Sequence, residues 1–221
     1  RLNDTNQEHC VVYNMMRLAD WLFRWTGEVE YADYIERNLY NGVLAQQHPR
    51  TGMIAYFLPL EPGARKVFGS PTHDFWCCHG SLVQAHTLHN AYTWYEDEGG
   101  VSVCQYVPGE ARFGRGGANV TIRQSPLTSL RDENRRTYDA AEALWHRPGA
   151  WRIGFEISSD KPVDFALSLR LPWWTSAKAT LTLNGAPVAI DAKAPGFVRV
   201  ARKWSNDRLV LELPRALLTS A

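Results

Sequence analysis

The sequence predicts an α+β chain in two parts, a helical part over residues 1–99 and an antiparallel β-sandwich over residues 100–221. Three observations predict this. Up to Gly99 the apolar residues recur at the three- and four-residue spacing of amphipathic helices. Beyond Gly100 they gather in short runs separated by turn pairs such as Asn184-Gly185, Pro195-Gly196 and Asn206-Asp207. Between the two textures lies Glu98-Gly99-Gly100, a helix-ending break.

In chain order, Thr5-Asn6-Gln7-Glu8 has the form of a capping box, and Val11, Val12, Met15, Leu18, Ala19, Leu22 and Phe23 then keep helical spacing to Gly27. A second helix carries Tyr31, Tyr34, Ile35, Leu39, Val43 and Leu44 and stops before Pro49, so the two form an antiparallel hairpin of helices. The β-forming residues of Met53 to Leu60, the turn at Pro62-Gly63 and Val67-Phe68 predict a small β-hairpin leading to Cys77. Gly80 can turn the backbone into a third helix over Ser81 to Tyr95. Strands are expected at Val101–Val107, Asn119–Arg123, Trp151–Ile157, Asp164–Leu171, Ala179–Leu183, Phe197–Ala201 and Arg208–Leu213, while the charged segment from Ser129 to Gly149 predicts a long loop or a partial helix.

Composition narrows the function. With 45% hydrophobic residues in 221 the chain can bury a full core. Its 24 basic and 23 acidic residues leave a net charge of +1 and no basic cluster, which disfavours nucleic acid and anionic membrane surfaces as partners. No apolar run approaches the length of a membrane span. The start at Arg1-Leu2-Asn3-Asp4 is neither a signal peptide nor an initiator segment, and the chain is expected to begin within a longer protein. Four cysteines are too few for a disulfide scaffold, and two adjacent ones are best kept as thiols in a reducing compartment, pointing to the cytoplasm. Nine tryptophans suit stacking on sugars, although core filling accounts for most of them.

The chemistry centres on Phe75-Trp76-Cys77-Cys78-His79-Gly80. Adjacent cysteines close a disulfide ring only with a distorted peptide between them, so the pair is presented to a metal or a substrate. Cys10, in Gln7-Glu8-His9-Cys10, has a carboxylate two residues before it at a helix start. Glu8, Cys10, Cys77 and Cys78 together supply three thiolates and a carboxylate, a donor set suited to tetrahedral Zn2+. Glu8 as a capping residue and Cys10 as a buried apolar thiol are the alternatives. A thiolate in such a shell can act as a nucleophile or simply hold the metal, and residue type does not separate the two. His9, His73, His79, His86 and His89 crowd the same stretch; His86 and His89 share a helix face, and His86 and His79 are the candidates for contacting a substrate. Cys104, inside a strand pattern, is read as packing, and Trp173-Trp174 as a strand end set into the sandwich core.

Glu8-His9-Cys10, Trp25-Thr26-Gly27, the run Tyr31 to Asn41, Thr51-Gly52-Met53, Tyr56 to Leu60 and Phe75-Trp76-Cys77-Cys78 resemble, in order over nearly all of residues 1–110, the β-L-arabinofuranosidases of glycoside hydrolase family 127 and its relatives. Leu169 to Trp174, Leu183-Asn184-Gly185 and Trp204 to Pro214 are similar, more loosely, to the sandwich that follows in such proteins. The resemblance implies the C-terminal part of an (α/α) barrel followed by an antiparallel β-sandwich, a zinc held by Glu8, Cys10, Cys77 and Cys78, and a carbohydrate substrate. It implies that Cys77 is the nucleophile of a retaining hydrolysis through a thioglycosyl-enzyme, taking the place of the usual carboxylate. In the family the general acid/base glutamate lies shortly before Glu-x-Cys, and residues 1–7 contain none. The chain by itself is therefore expected to be poorly active. Leu82 and Gln84 stand where many members carry Gly and Glu after the cysteine pair, which bears on the choice of sugar.

Overall fold

In the computed structural model, which describes residues 2–127 and 149–215, the first apolar stripe becomes helix α1 (His9–Thr26) and buries Val12, Tyr13, Met16, Ala19 and Phe23. It stops at Gly27, whose φ of 69° gives the left-handed turn that lets its N–H donate to the Phe23 carbonyl at 2.7 Å. Helix α2 (Val29–Asn38) packs on α1 through Ala32 and Ile35 and then widens into a π turn, Leu39–Val43, and a 3-10 turn, Leu44–Gln46. The predicted second helix is thus helical throughout but changes pitch after Asn38. The capping box does not form. Glu8 is the extended residue before α1 and makes no side-chain cap, while Thr5 bonds Asn3 instead. The reason is a competing partner: Glu8 forms an antiparallel bridge with Phe57, and Gln7 O accepts from Leu58 N at 3.3 Å.

The predicted hairpin before Cys77 is reduced to isolated bridges, Gln47 to Ile54 and Ala55 to Phe68. Helix α3 (Cys77–Thr87) begins four residues earlier than the sequence suggests, and Gly80 lies inside it. Its start is fixed by a reciprocal pair: Trp76 N donates to His79 Nδ1 and His79 N donates to the Trp76 carbonyl, both at 3.0 Å. It ends at Thr87, before a short turn at Asn90–Tyr92 and strand β1 (Trp94–Glu96), where the aromatic pair Trp94-Tyr95 joins a ladder instead of extending the helix. Leu82, Ala85 and Tyr92 complete the core shared with α1 and α2.

The described residues divide into two compact units between Thr93 and Trp94. The second unit is one eight-stranded mixed sheet. Its remaining strands are β2 (Gly100–Val103), β3 (Gly109–Arg115), β4 (Ala118–Pro126), β5 (Ala150–Leu171), β6 (Thr180–Leu183), β7 (Ala186–Val188) and β8 (Gly196–Pro214). The predicted runs 151–157 and 164–171 are two halves of β5, and 197–201 and 208–213 are two halves of β8. They merge because β5 and β8 pair with each other along their length, with one slip of register between Ser158 and Val163. The halves of β5 serve different neighbours: 153–159 pair antiparallel with β4, and 166–169 pair with β2. That last pairing is parallel, so the sheet is not wholly antiparallel as predicted. Strand β3 lies outside every predicted run and is joined to β4 by Gly116-Gly117. The segment expected to be a loop or partial helix falls, apart from Gly149, outside the described residues. Phe155, Leu167, Leu169, Trp204, Leu209 and Leu211 are fully buried in the core of this unit, and the Trp204 indole N–H donates to the Phe165 carbonyl at 2.8 Å. Cys104 is buried and Trp174 packs against the same core, while Trp173 is exposed.

Gly100 is where β2 meets β5 at Ala166, and a Cβ added there would sit 1.8 Å from the Ala166 carbonyl oxygen. That oxygen belongs to a strand paired on its other side with β8, so it cannot yield cheaply. Gly100→Ala is expected to lower unfolding stability by on the order of 3 kcal/mol in a denaturant titration followed by tryptophan fluorescence. Gly99→Ala, whose Cβ meets only the ends of two side chains, Arg199 at 3.2 Å and Asp97 at 3.3 Å, should cost under about 1 kcal/mol in the same titration.

Candidate metal centre

Two helix starts face one another. Cys10 is the second residue of α1, and Cys77 and Cys78 are the first two of α3. Unpaired N–H groups and the positive end of the helix dipole favour thiolates at such positions. One ligand atom from each of Glu8, Cys10, Cys77 and Cys78 lies within 4.8 Å of the others. Cys10 Sγ is 3.7 Å from Cys78 Sγ, and Cys77 Sγ is 3.8 Å from Glu8 Oε1. Tetrahedral zinc with bonds of about 2.3 Å to sulfur and about 2.0 to 2.2 Å to oxygen would set two sulfurs about 3.8 Å apart and a sulfur and an oxygen about 3.5 to 3.7 Å apart, close to both separations. The donor types fit as well, since thiolates with a carboxylate suit zinc better than magnesium or calcium.

The backbone places these groups through strain and close contact. Gln7 has φ of 51°, uncommon for a side chain of its kind, and this kink turns Glu8 towards the cysteines. Gln7 is held there by its Nε2, which donates to the Asn41 carbonyl at 3.1 Å, in the π turn. Gly42 in the same turn lies against α1, where a Cβ would come within 2.5 Å of Val12 Cγ1. Pitch changes of this kind gather at functional sites, and here the wide turn lets the first turn of α1 dock.

The three sulfurs differ in surroundings. Cys77 is exposed, Cys10 half-buried and Cys78 fully buried. Burial pushes the Cys78 thiol up to about 12. Burial also raises the Cys10 thiol, opposed by the hydroxyl of Ser81 at 3.1 Å. Cys77 alone is shifted down, first by its hydrogen bond with Cys10 and then by the Tyr56 hydroxyl at 3.9 Å, so it is the sulfur the protein itself biases towards thiolate. Tyr56 is correspondingly held protonated by Cys77, by burial and by Glu8. It is packed edge-on against Trp76, ring centroids 5.5 Å apart.

The two histidines singled out as substrate contacts lie outside this group of four. His79 spends Nδ1 on the cap of α3, leaving Nε2 as its free nitrogen, and stacks on exposed Phe75 with centroids 5.1 Å apart. His86 meets His89 through Nδ1 and Nε2 at 3.0 Å, so one proton is shared between them. His9, between Glu8 and Cys10 in sequence, points the other way. It is fully buried against the backbone of Gly42 and Ser81 without reaching hydrogen-bond geometry, and burial lowers its pKa, so it is a neutral core residue. Tyr56 and Ser81 were not legible as parts of the site. Ser81 had a signal in its helical spacing of three and four from Cys78 and Cys77; Tyr56, in an irregular segment, had none. A cavity of about 440 Å³ reaches Glu8 and is bordered by the polar side chains of Gln7 and Asn38 and by Tyr34 and Phe57.

Gly42→Ala should force α1 away from the π turn, cost about 1 to 3 kcal/mol in thermal or denaturant unfolding, and lower the metal content of the purified protein. Unchanged stability and metal content would mean that this contact does not position Glu8 and Cys10.

Family profiles cover most of the chain. The profile described as the β-L-arabinofuranosidase GH127 catalytic domain matches residues 1–91, and that of the GH127 middle domain matches residues 100–215. A non-reducing end β-L-arabinofuranosidase of Bifidobacterium longum subsp. longum is 26% identical over 210 residues, which is 89% of this chain and 29% of that protein. Among solved structures, a GH127 β-L-arabinofuranosidase from Geobacillus stearothermophilus T6 superposes with a TM-score of 0.73 at 21% identity, covering 95% of this chain and 32% of the other. A second, described as a glycoside hydrolase, gives 0.73 at 24% identity over 95% and 33%. The chain thus spans about a third of the length of the relatives it matches.

Proposed function

The chain belongs to glycoside hydrolase family 127, the β-L-arabinofuranosidases, and from that membership we propose that it forms part of a retaining glycoside hydrolase acting on terminal β-L-arabinofuranosides or a closely related sugar. The observation that carries the proposal is the convergence of Glu8, Cys10, Cys77 and Cys78, with Cys77 the exposed member of the three sulfurs and the one shifted towards thiolate. In this reading residues 1–99 belong to an (α/α) barrel and the sheet that follows to a β-sandwich.

Zinc is the metal the four residues would hold, and when bound it keeps the thiols deprotonated at neutral pH and makes sulfur a better leaving group. Cys77 Sγ attacks the anomeric carbon. A carbon–sulfur bond forms as the glycosidic carbon–oxygen bond breaks, and the departing oxygen takes a proton from a carboxylic acid that the family resemblance puts before Glu8 in sequence. Water then attacks the same carbon, gives its proton to that carboxylate, and releases the sugar and the Cys77 thiolate. Two inversions at one carbon leave its configuration unchanged. Tyr56 donates a hydrogen bond towards Cys77 Sγ and stabilises the thiolate before attack and after release. Cys78, buried and high in pKa, is poorly placed for attack and serves as a fixed ligand. His79 Nε2 and the side-chain amides bordering the cavity at Glu8 are the groups offered to sugar hydroxyls, whereas His86 has Nδ1 on His89 and Nε2 buried.

Elemental analysis is expected to find about one zinc per chain, lost in Cys77→Ser and in Glu8→Gln. An electrophilic analogue of an arabinofuranoside should leave one covalent sugar adduct on the Cys77 peptide in mass spectrometry, and the first product seen by NMR should keep the β configuration. Zinc without any adduct on the intact protein would make the centre a structural staple; an adduct on another residue would end the case for Cys77.

A further inference from the structure

Leaving aside the contacts among the sulfurs themselves, each sulfur of the centre faces one hydrogen-bond donor among the described residues, and the three donors are unequal. Cys78 faces the backbone N–H of Cys10, Cys77 faces the Tyr56 hydroxyl at 3.9 Å, and Cys10 faces the Ser81 hydroxyl at 3.1 Å. The contact at Cys10 is the shorter of the two hydroxyl contacts. Ser81 sits one turn along α3 from the cysteine pair, and its oxygen has two other acceptors within reach, the carbonyls of Cys77 and Cys78, each at 3.4 Å. A thiol at Cys10 leaves the direction of the Ser81 bond open. A thiolate does not: it carries only lone pairs, so the hydroxyl must donate to sulfur, and that charge-assisted bond outcompetes the longer contacts to neutral carbonyls.

We propose that Ser81 is a positioning residue of the metal centre: its hydroxyl donates to the Cys10 thiolate, fixes that sulfur across the gap between α1 and α3, and makes Cys10 a permanent ligand. This rests on the metal reading given above and extends it to a difference between ligands. The sulfur that must come and go from the sugar, Cys77, has the long and weak donor; Cys10, which only holds, has the short one. Three thiolates and a carboxylate exceed the charge of a divalent cation by two, and drawing charge off one sulfur lessens the repulsion among the four donors.

The test is Co2+ binding by the protein that carries this chain, because cobalt takes tetrahedral thiolate sites and its thiolate charge-transfer absorption reports on the bound sulfurs. Ser81→Ala should weaken Co2+ binding by about tenfold in competition with a chelator and shift the charge-transfer band, while Ser81→Thr keeps both near the wild-type values. Ser81→Val repeats the loss of the hydroxyl at the shape of threonine, so the Thr and Val pair carries the comparison if the alanine variant folds poorly. Affinity within about twofold of wild type and an unmoved band in the variants without a hydroxyl would overturn the proposal and leave the metal centre standing. A wild-type protein that takes up no cobalt would overturn both.

Discussion

Everything in the helical unit answers to one requirement, that the first turns of α1 and α3 meet although Cys10 and Cys78 lie 68 positions apart in sequence. Bringing the positive ends of two helices together is unfavourable unless negative charge lies between them, and Glu8 with Cys77, the sulfur biased towards thiolate, is placed to supply it. The surrounding devices all hold this geometry. The bridge from Glu8 to Phe57 fixes the approach of α1, the bond from Gln7 to Asn41 ties that approach to the π turn, and the reciprocal cap of Trp76 and His79 fixes the start of α3. The requirement also explains the local departures from regular structure, since a left-handed φ at Gln7 and a change of helix pitch at Leu39 each cost energy that the packed arrangement must offset.

The same geometry separates three chemically identical side chains. Cys78 follows Cys77 by one residue, yet the turn of the helix sends one sulfur into the core and leaves the other open to solvent. Adjacent placement thus brings two sulfurs to one centre while leaving only one of them open to solvent. A disulfide scaffold has no use for that asymmetry, whereas the proposed centre, in which one sulfur reacts and another only holds metal, depends on it.

Much of this was legible in the sequence. The four residues that converge could be picked out because adjacent cysteines are poor disulfide partners and because Glu-x-Cys at a helix start is a chemically odd pairing. Helix α1 was legible from its apolar period. The capping box was misleading, since Thr5 and Glu8 satisfy the pattern while the backbone bond of Glu8 goes to a distant residue that local spacing does not reveal. Helical spacing from Cys77 and Cys78 could have pointed to Ser81, but its contact with Cys10 spans 71 positions and that of Tyr56 with Cys77 spans 21 in an irregular segment, and periodicity encodes neither contact. In the sheet unit the alternating runs were found, but their continuity was not, because a register slip at Ser158 to Val163 looks in sequence like a turn between two strands. The parallel partner of β5 was hidden for the same reason: alternation says which face is buried and not which strand lies alongside.

The arrangement of β5 and β8 also sets an order of assembly. These strands are linked through the hairpin of β6 and β7, itself paired to β8, so four strands form from contacts that are near in sequence and close at modest entropic cost. Strand β2 must instead find the 166–169 half of β5 from the far side of β3, β4 and the segment between β4 and β5. Non-local parallel pairing is slow to form. The ribbon of β5 and β8 is therefore the template of the unit, and the edge that carries β1 and β2, where the helical and sheet units join in sequence, closes on it last.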